Sequence, residues 1–207
     1  PRMHLLCDDE SVIGRAFYVM QFVQGRVLWD QSLPGMTRDE RGAIYDEMNR
    51  VIAALHSVDV GAVGLSDYGR PGNYFERQIA RWSKQYVATV TEQIDEMDRL
   101  IEWLPAHLPA SALDASQVSI VHGDFRLDNL IFDAARPRVA AVLDWELCTL
   151  GDPLADLGLL MVYWSGPTDE PSGTTFGTTT AEGFLNRAQL AERYAQVSGR
   201  DISHLDY

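Results

Sequence analysis

Apolar and polar positions along this chain switch between a two-residue and a helical period, and the switches divide it into segments. Met3 to Cys7 is a short apolar run, Asp8 to Arg15 is polar with Gly14, and Ala16 to Val23 is a second run rich in aromatic and β-branched residues. Two such runs around a polar turn predict a β-hairpin. After Pro34-Gly35 the period lengthens: Ile44, Met48, Val51, Ile52 and Leu55 recur at helical spacing behind Thr37-Arg38-Asp39-Glu40, which fits a capping box. That helix is expected to end near Ser57, with His56 held by a C-terminal carbonyl rather than by a metal. A glycine-containing loop, Gly61 to Gly72, leads to Asn73, the expected cap of a helix with Phe75, Ile79, Trp82 and Tyr86 on one face. The simplest use of this aromatic stripe is core packing. A further helix, Glu92 to Leu104, carries Ile94, Met97, Leu100, Ile101 and Leu104 before Pro105 and Pro109 end it.

The second half opens with strand-like runs. Ser119 to Val121 reads as a short buried strand, and Leu130 to Asp133 and Val139 to Leu143 flank a turn containing Arg136-Pro137. Paired antiparallel around that turn, they put Asp133 near Val139 and Asn129 opposite Leu143, next to Asp144. Pro153 then opens a helix carrying Leu157, Leu160, Met161 and Trp164 inward. Ser165 to Gly183, rich in Gly, Thr and Pro, is expected to be a mobile loop. Arg187 to Val197 is an amphipathic helix stopped near Gly199, and Asp201 and Ser203 resemble the start of another.

Composition narrows the partners. Of 207 residues, 17 are basic and 30 acidic, a net charge of -13 that disfavours nucleic acid or an anionic membrane and is compatible with a cationic substrate. Cys7 and Cys148 are too few for a disulfide framework and lack metal-ligand spacing. The longest apolar stretch, Leu157 to Trp164, is too short to span a bilayer. The expectation is a soluble cytoplasmic protein without a membrane partner.

Candidate chemistry concentrates in VHGDFRLDNLIF, Val121 to Phe132. Gly123 permits a sharp turn that presents Asp124 at a loop tip. Asn129 and Asp144, brought together by the hairpin register, offer oxygen ligands to one hard cation, and this donor chemistry suits magnesium completed by phosphate oxygens. Asp124 beside them is free to accept a proton. A lone His-Gly-Asp is most often an ordinary turn; the order and spacing of the whole set are what carry information. His122 is expected to hydrogen-bond within the loop, and Trp145 and Glu146 either face an acceptor or close the strand end.

H-G-D-x-x-x-x-N followed by an apolar hairpin and L-D-W resembles the catalytic core of the aminoglycoside phosphotransferase family, relatives of the protein kinases. The resemblance implies an α+β fold: a mostly helical C-terminal catalytic lobe, residues 25–207, with a catalytic β-hairpin, and a remnant β-hairpin of the N-terminal lobe with the hinge, residues 1–24. It further implies that Asp124 orients or deprotonates an acceptor hydroxyl, that Asn129 and Asp144 hold magnesium on ATP, and that Arg126 faces the transferred phosphate. In FYVMQFVQG, Phe17 to Gly25, the Gln21 carbonyl and the Val23 N–H would bind adenine, and Asp156 would brace the catalytic loop through backbone N–H groups. No glycine-rich loop precedes this segment and no lysine precedes Lys84, so the expected chain is a fragment truncated at both ends. NYFERQIARWSKQY, IEWLPAHLP and HGDFRLDN are similar to the kinase-like domain fused to, or encoded alongside, acyl-CoA dehydrogenases. That branch implies a functional link to such an enzyme and a hydroxylated acyl compound as acceptor, where the wider family suggests aminoglycosides or other amino alcohols. Two other classes stay open: a non-catalytic nucleotide-binding or interaction module, and a magnesium-dependent hydrolase using Asp124 and Asp144.

Overall fold

Helix α1, Arg38–His56, begins where the sequence provides reciprocal capping: the Glu40 N–H donates to Thr37 Oγ1 at 3.3 Å and the Thr37 N–H donates to the Glu40 carboxylate at 2.8 Å. A computed structural model describes residues 1–69, 72–109, 112, 114–164, 179 and 181–205. Ile44, Met48 and Ile52, one stripe of α1, are fully buried. Around them pack Phe125, Leu127, Leu130 and Phe132 from the middle of the chain, Leu157 and Leu160 from α4, Leu154–Val162, Trp164 just past its end, and Leu190 and Tyr194 from α5, Arg187–Ser198. Each large side chain removed from water contributes about 1.5–3 kcal/mol, so this cluster holds α1, α4 and α5 against the central loop. Glu47 lies on the buried face as well, 5% exposed, because Arg50 and the Val139 N–H satisfy its carboxylate.

The strands form three small antiparallel sheets. β1, Met3–Cys7, pairs with β2, Phe17–Met20, as expected, although β2 stops before Gln21. β3, Arg26–Val27, and β6, Val139–Val142, flank β5, Leu130–Phe132. β4, Ser119–Val121, pairs with β7, Thr149–Gly151. In the β5–β6 hairpin Leu130 faces Val142 and Ile131 faces Ala141, and the Leu143 N–H donates to the Asn129 carbonyl at 2.8 Å. Asn129 therefore stands opposite Leu143. At the other end a bulge shifts the ladder, so that the Asp133 N–H meets the Arg138 carbonyl and Phe132 faces Val139.

Two expectations are corrected in the segment between α1 and β4. Helices α2, Tyr74–Thr89, and α3, Asp95–Ala106, pack on one another and contain no buried residue. Trp82 is 49% exposed, so the aromatic stripe is only half covered and is not core. Asn73 does occupy the N-cap position of α2, but its backbone is left-handed and its side chain makes no capping bond. Of the segment expected to be mobile, Ser165 to Gly183, only Thr179 and residues 181–183 fall within the described residues. Among the described residues no helix is long and apolar enough to cross a membrane.

Candidate active site

The loop between β4 and β5 is shaped first by Gly123. Its φ of +85° suits glycine, and a Cβ there would stand 2.7 Å from the Leu147 Cβ and 2.8 Å from the Leu147 carbonyl. The same turn leaves two backbone N–H groups pointing inward, and Asp156 on α4 receives both: His122 N–H to Oδ2 and Gly123 N–H to Oδ1, each at 2.7 Å.

Past the turn, four side chains and backbone groups close a ring of hydrogen bonds. The Asp124 N–H donates to His122 Nδ1 at 3.2 Å, and His122 Nε2 meets the Leu143 carbonyl at 2.8 Å. The Leu143 N–H donates to the Asn129 carbonyl, and Asn129 Nδ2 donates back to the Asp124 carbonyl at 2.9 Å and carboxylate at 3.1 Å. A carbonyl only accepts and an N–H only donates, so His122 must be the Nε2–H tautomer. His122 is thus structural, as expected, and ties the loop to the residue preceding Asp144. Committing Nδ2 to Asp124 leaves Asn129 Oδ1 as the atom able to bind a cation. Asp144 follows the strand end in a left-handed conformation, φ 60°, and is exposed.

Arg126 is placed differently from the other candidates. Its Nε donates to Asp128 Oδ1 at 2.6 Å and its Nη2 meets Asp128 Oδ2, a bidentate pair, with the guanidinium 5.2 Å above the Tyr163 ring. The hydrogen bond to Asp128 raises the Arg126 pKa, so the group stays charged. Gln21 and Val23 lie just beyond β2, where the Gln21 N–H donates to the Arg2 carbonyl at 2.8 Å.

Two concavities flank the loop. A cleft of about 930 Å³ separates the β1–β2 ribbon from β6, with Met3, Tyr18 and Met20 on one wall and Val142, Asp144 and Trp145 on the other. Gln21 and Val23 adjoin it in sequence but do not line it. Trp145 closes the strand end by donating its indole N–H to the Val142 carbonyl at 2.9 Å. The second pocket, about 400 Å³, lies between α2 and α4, lined by Tyr74, Phe75, Trp82, Leu154 and Leu159 and reaching Gly123. Burial, reinforced by the Asp156 and Asp152 carboxylates and opposed by Arg77, pushes the Tyr74 phenol up to about 12. It remains a hydrogen-bond donor at neutral pH.

The sequence profile of the phosphotransferase enzyme family (APH) matches residues 1–197. The chain belongs to this family. It is 56% identical to the crystal structure of a candidate aminoglycoside phosphotransferase from Ralstonia eutropha, at a TM-score of 0.84, covering 97% of this chain and 60% of that one. It is 48% identical over 166 residues to mouse acyl-CoA dehydrogenase family member 10, covering 80% of this chain and 15% of the relative. A ternary complex of streptomycin, ATP and APH(2")-IIa shares the fold, at 20% identity and a TM-score of 0.56, with 91% of this chain and 58% of that one covered. The chain thus spans only part of the length of these relatives. The α+β fold is that of the aminoglycoside phosphotransferases.

Glu47, His56 and Gly151 were not singled out for the site, yet each bears on it. The signal for the first two was a charged or titratable residue on the apolar stripe of α1, three or four positions from Ile44 and Ile52. His56 is held by the Asp156 carboxylate and the Tyr194 hydroxyl rather than by the expected carbonyl.

Proposed function

We propose that this phosphotransferase transfers the γ-phosphoryl group of ATP to a hydroxyl of a small molecule. The reading rests on the closed hydrogen-bond ring that fixes Asp124, Asn129 and the residue preceding Asp144 in one unit. Positioning of this kind is most of what phosphoryl transfer asks of a protein. Asn129 Oδ1 and the Asp144 carboxylate would hold magnesium; an all-oxygen pair fits an ion completed by water and phosphate. Magnesium, when bound, would neutralise charge on the phosphates. Asp124 orients the acceptor hydroxyl and takes its proton, while Asn129 holds the Asp124 carboxylate in place. Adenine would sit in the cleft beside Met20 with the Gln21 carbonyl and Val23 N–H at its edge. Arg126 would reach the transferred phosphate on leaving Asp128. Residues 1–24 then serve as the nucleotide-side remnant and hinge, and 25–207 as the catalytic lobe.

The pocket beside Gly123 supports the choice of acceptor. Its lining is mainly aromatic and aliphatic, with Gln78 and His204 as further polar side chains, and Asp156, its carboxylate, is consumed by three internal hydrogen bonds. A hydroxylated acyl compound suits such a lining better than a polycationic aminoglycoside, and the likeness to an acyl-CoA dehydrogenase family member supports a functional link to that chemistry. The test is ADP release by the intact gene product with a panel of hydroxyacyl compounds and aminoglycosides. Asp124→Ala is expected to abolish acceptor-dependent turnover and to leave magnesium–ATP binding in place. Undiminished turnover would remove Asp124 from the mechanism, phosphate release without acceptor would favour a hydrolase, and binding without transfer a non-catalytic module.

A further inference from the structure

Arg126 is held by a carboxylate of its own turn. Its Nε donates to Asp128 Oδ1 at 2.6 Å, its Nη2 meets Asp128 Oδ2, and the guanidinium lies 5.2 Å above the ring of Tyr163 at the end of α4. The backbone that carries the pair is fixed. Phe125 and Leu127, on either side of Arg126, are 0% and 2% exposed, and the Asn129 N–H closes the turn on the Arg126 carbonyl at 3.1 Å. Asn129 itself is tied to Asp124. Asp128 therefore stays where the turn puts it, and a change of partner is a swing of the longer arginine side chain. Neither Arg126 nor Asp128 is among the described residues lining the cleft that contains Met20 and Asp144.

We propose that Asp128 is a specificity-determining residue: it holds Arg126 in reserve and so makes nucleotide affinity depend on the γ-phosphate. The inference rests on the reading of Arg126 as the group that faces the transferred phosphate. A bidentate carboxylate is a strong partner for a guanidinium. Side chains 26% and 14% exposed put this pair between a surface pair, which would not hold the arginine, and a fully buried one, which would not release it. The Tyr163 ring adds a second hold on the same position of the side chain. A ligand that takes Arg126 must therefore bring more charge than one carboxylate. The terminal phosphate of ATP does so, with a charge of about -2 at neutral pH. ADP ends short of the arginine and leaves it on Asp128. Affinity for ATP is lowered by the fraction of molecules in which Arg126 is still held. After transfer, the return of Arg126 to Asp128 removes its hold on the spent nucleotide.

The test is equilibrium binding of magnesium–ATP and magnesium–ADP to the intact gene product. Asp128→Asn keeps the shape and removes the charge. It is expected to tighten ATP about tenfold, as for an arginine free in about one molecule in ten, and ADP less than about twofold. Loss of a negative charge strengthens any phosphate binding somewhat, so the decisive comparison is made in an Arg126→Gln background. There Asp128→Asn should change ATP affinity less than about twofold. A gain that survives Arg126→Gln, or equal gains for ATP and ADP, would reduce Asp128 to a diffuse charge and overturn the proposal. Weaker ATP binding in Asp128→Asn would overturn it too, by making the carboxylate a support that keeps Arg126 in its working place. Should Asp128→Asn fail to fold, Tyr163→Leu carries the test: ATP should tighten about threefold, again only while Arg126 is present. No gain there contradicts the reserve. If the two positions are coupled but no acceptor is phosphorylated, the reserve stands and the transfer reading falls. If transfer occurs without coupling, the reserve falls alone.

Discussion

The region around α1 and the region formed by α2 and α3 treat their side chains in opposite ways. Around α1 even charged groups are buried, each with partners: Glu47 with Arg50 and Val139, Asp156 with His56, His122 and Gly123. Along α2 and α3 even large apolar groups stay in water, with Val87 66% and Trp103 45% exposed. The contrast separates two tasks. Groups around α1 sit where packing and hydrogen bonds over-determine them, while α2 and α3 form a thin, self-packed helix pair whose apolar side chains stay accessible.

Substitutions can break this comparison, beginning with the core. Phe132→Ala should lose about 3–5 kcal/mol in urea unfolding, because a fully buried ring leaves a cavity under the hairpin. A loss under 1 kcal/mol would mean that the β5–β6 hairpin is not anchored as described. Gly123→Ala comes next, at about 2–4 kcal/mol, from a positive φ and an overlap with Leu147 together. Glu47→Gln should cost about 1–3 kcal/mol by weakening the anchor of the hairpin bulge.

Glu47 also gives the comparison a pH axis. Burial raises its pKa, but hydrogen bonds from Arg50 and the Val139 N–H, with the Arg50 and Arg138 charges, outweigh it and hold the group below the ordinary carboxylate range. A depressed folded-state pKa means stabilisation that is complete above the unfolded value of about 4.3 and disappears as pH falls through the folded one. Glu47→Gln should therefore flatten the acid limb of stability against pH, and an unchanged limb would deny the coupling. At the small end, Val87→Ser on α2 should shift stability by no more than about 0.5 kcal/mol. A larger loss would show that the rim is part of the core after all.

How far the sequence was legible follows the same division. The start of α1 could be read because the residues that cap it lie within four positions of each other, and the Asn129–Leu143 register because the turn and the apolar alternation are local to the hairpin. The bulge at its far end could not, since the group that takes the Val139 N–H, Glu47, arrives from a helix about ninety residues earlier. β3 and β7 are two and three residues long, too short to show a period. Phe75, Ile79, Trp82 and Tyr86 have the spacing of a buried face, but spacing does not say how much partner surface will cover it. His56 was read from its place at a helix end, where a carbonyl is the ordinary partner; Asp156, a hundred residues away, overrode that local preference.

Gly151 faces Ser119 at the start of β4, and a Cβ there would lie 2.4 Å from the Tyr74 ring. The first residue of α2 thus rests on bare backbone of the strand pair that delivers the catalytic loop. No side chain intervenes at that contact to absorb movement. A molecule wedged between α2 and α4 would press on Tyr74, and Tyr74 on β7, so that occupancy of the rim pocket would be felt as mechanical load on the strand leading to Asp124. The rim pocket and the candidate catalytic loop, separated in how they are stabilised, share one point of leverage.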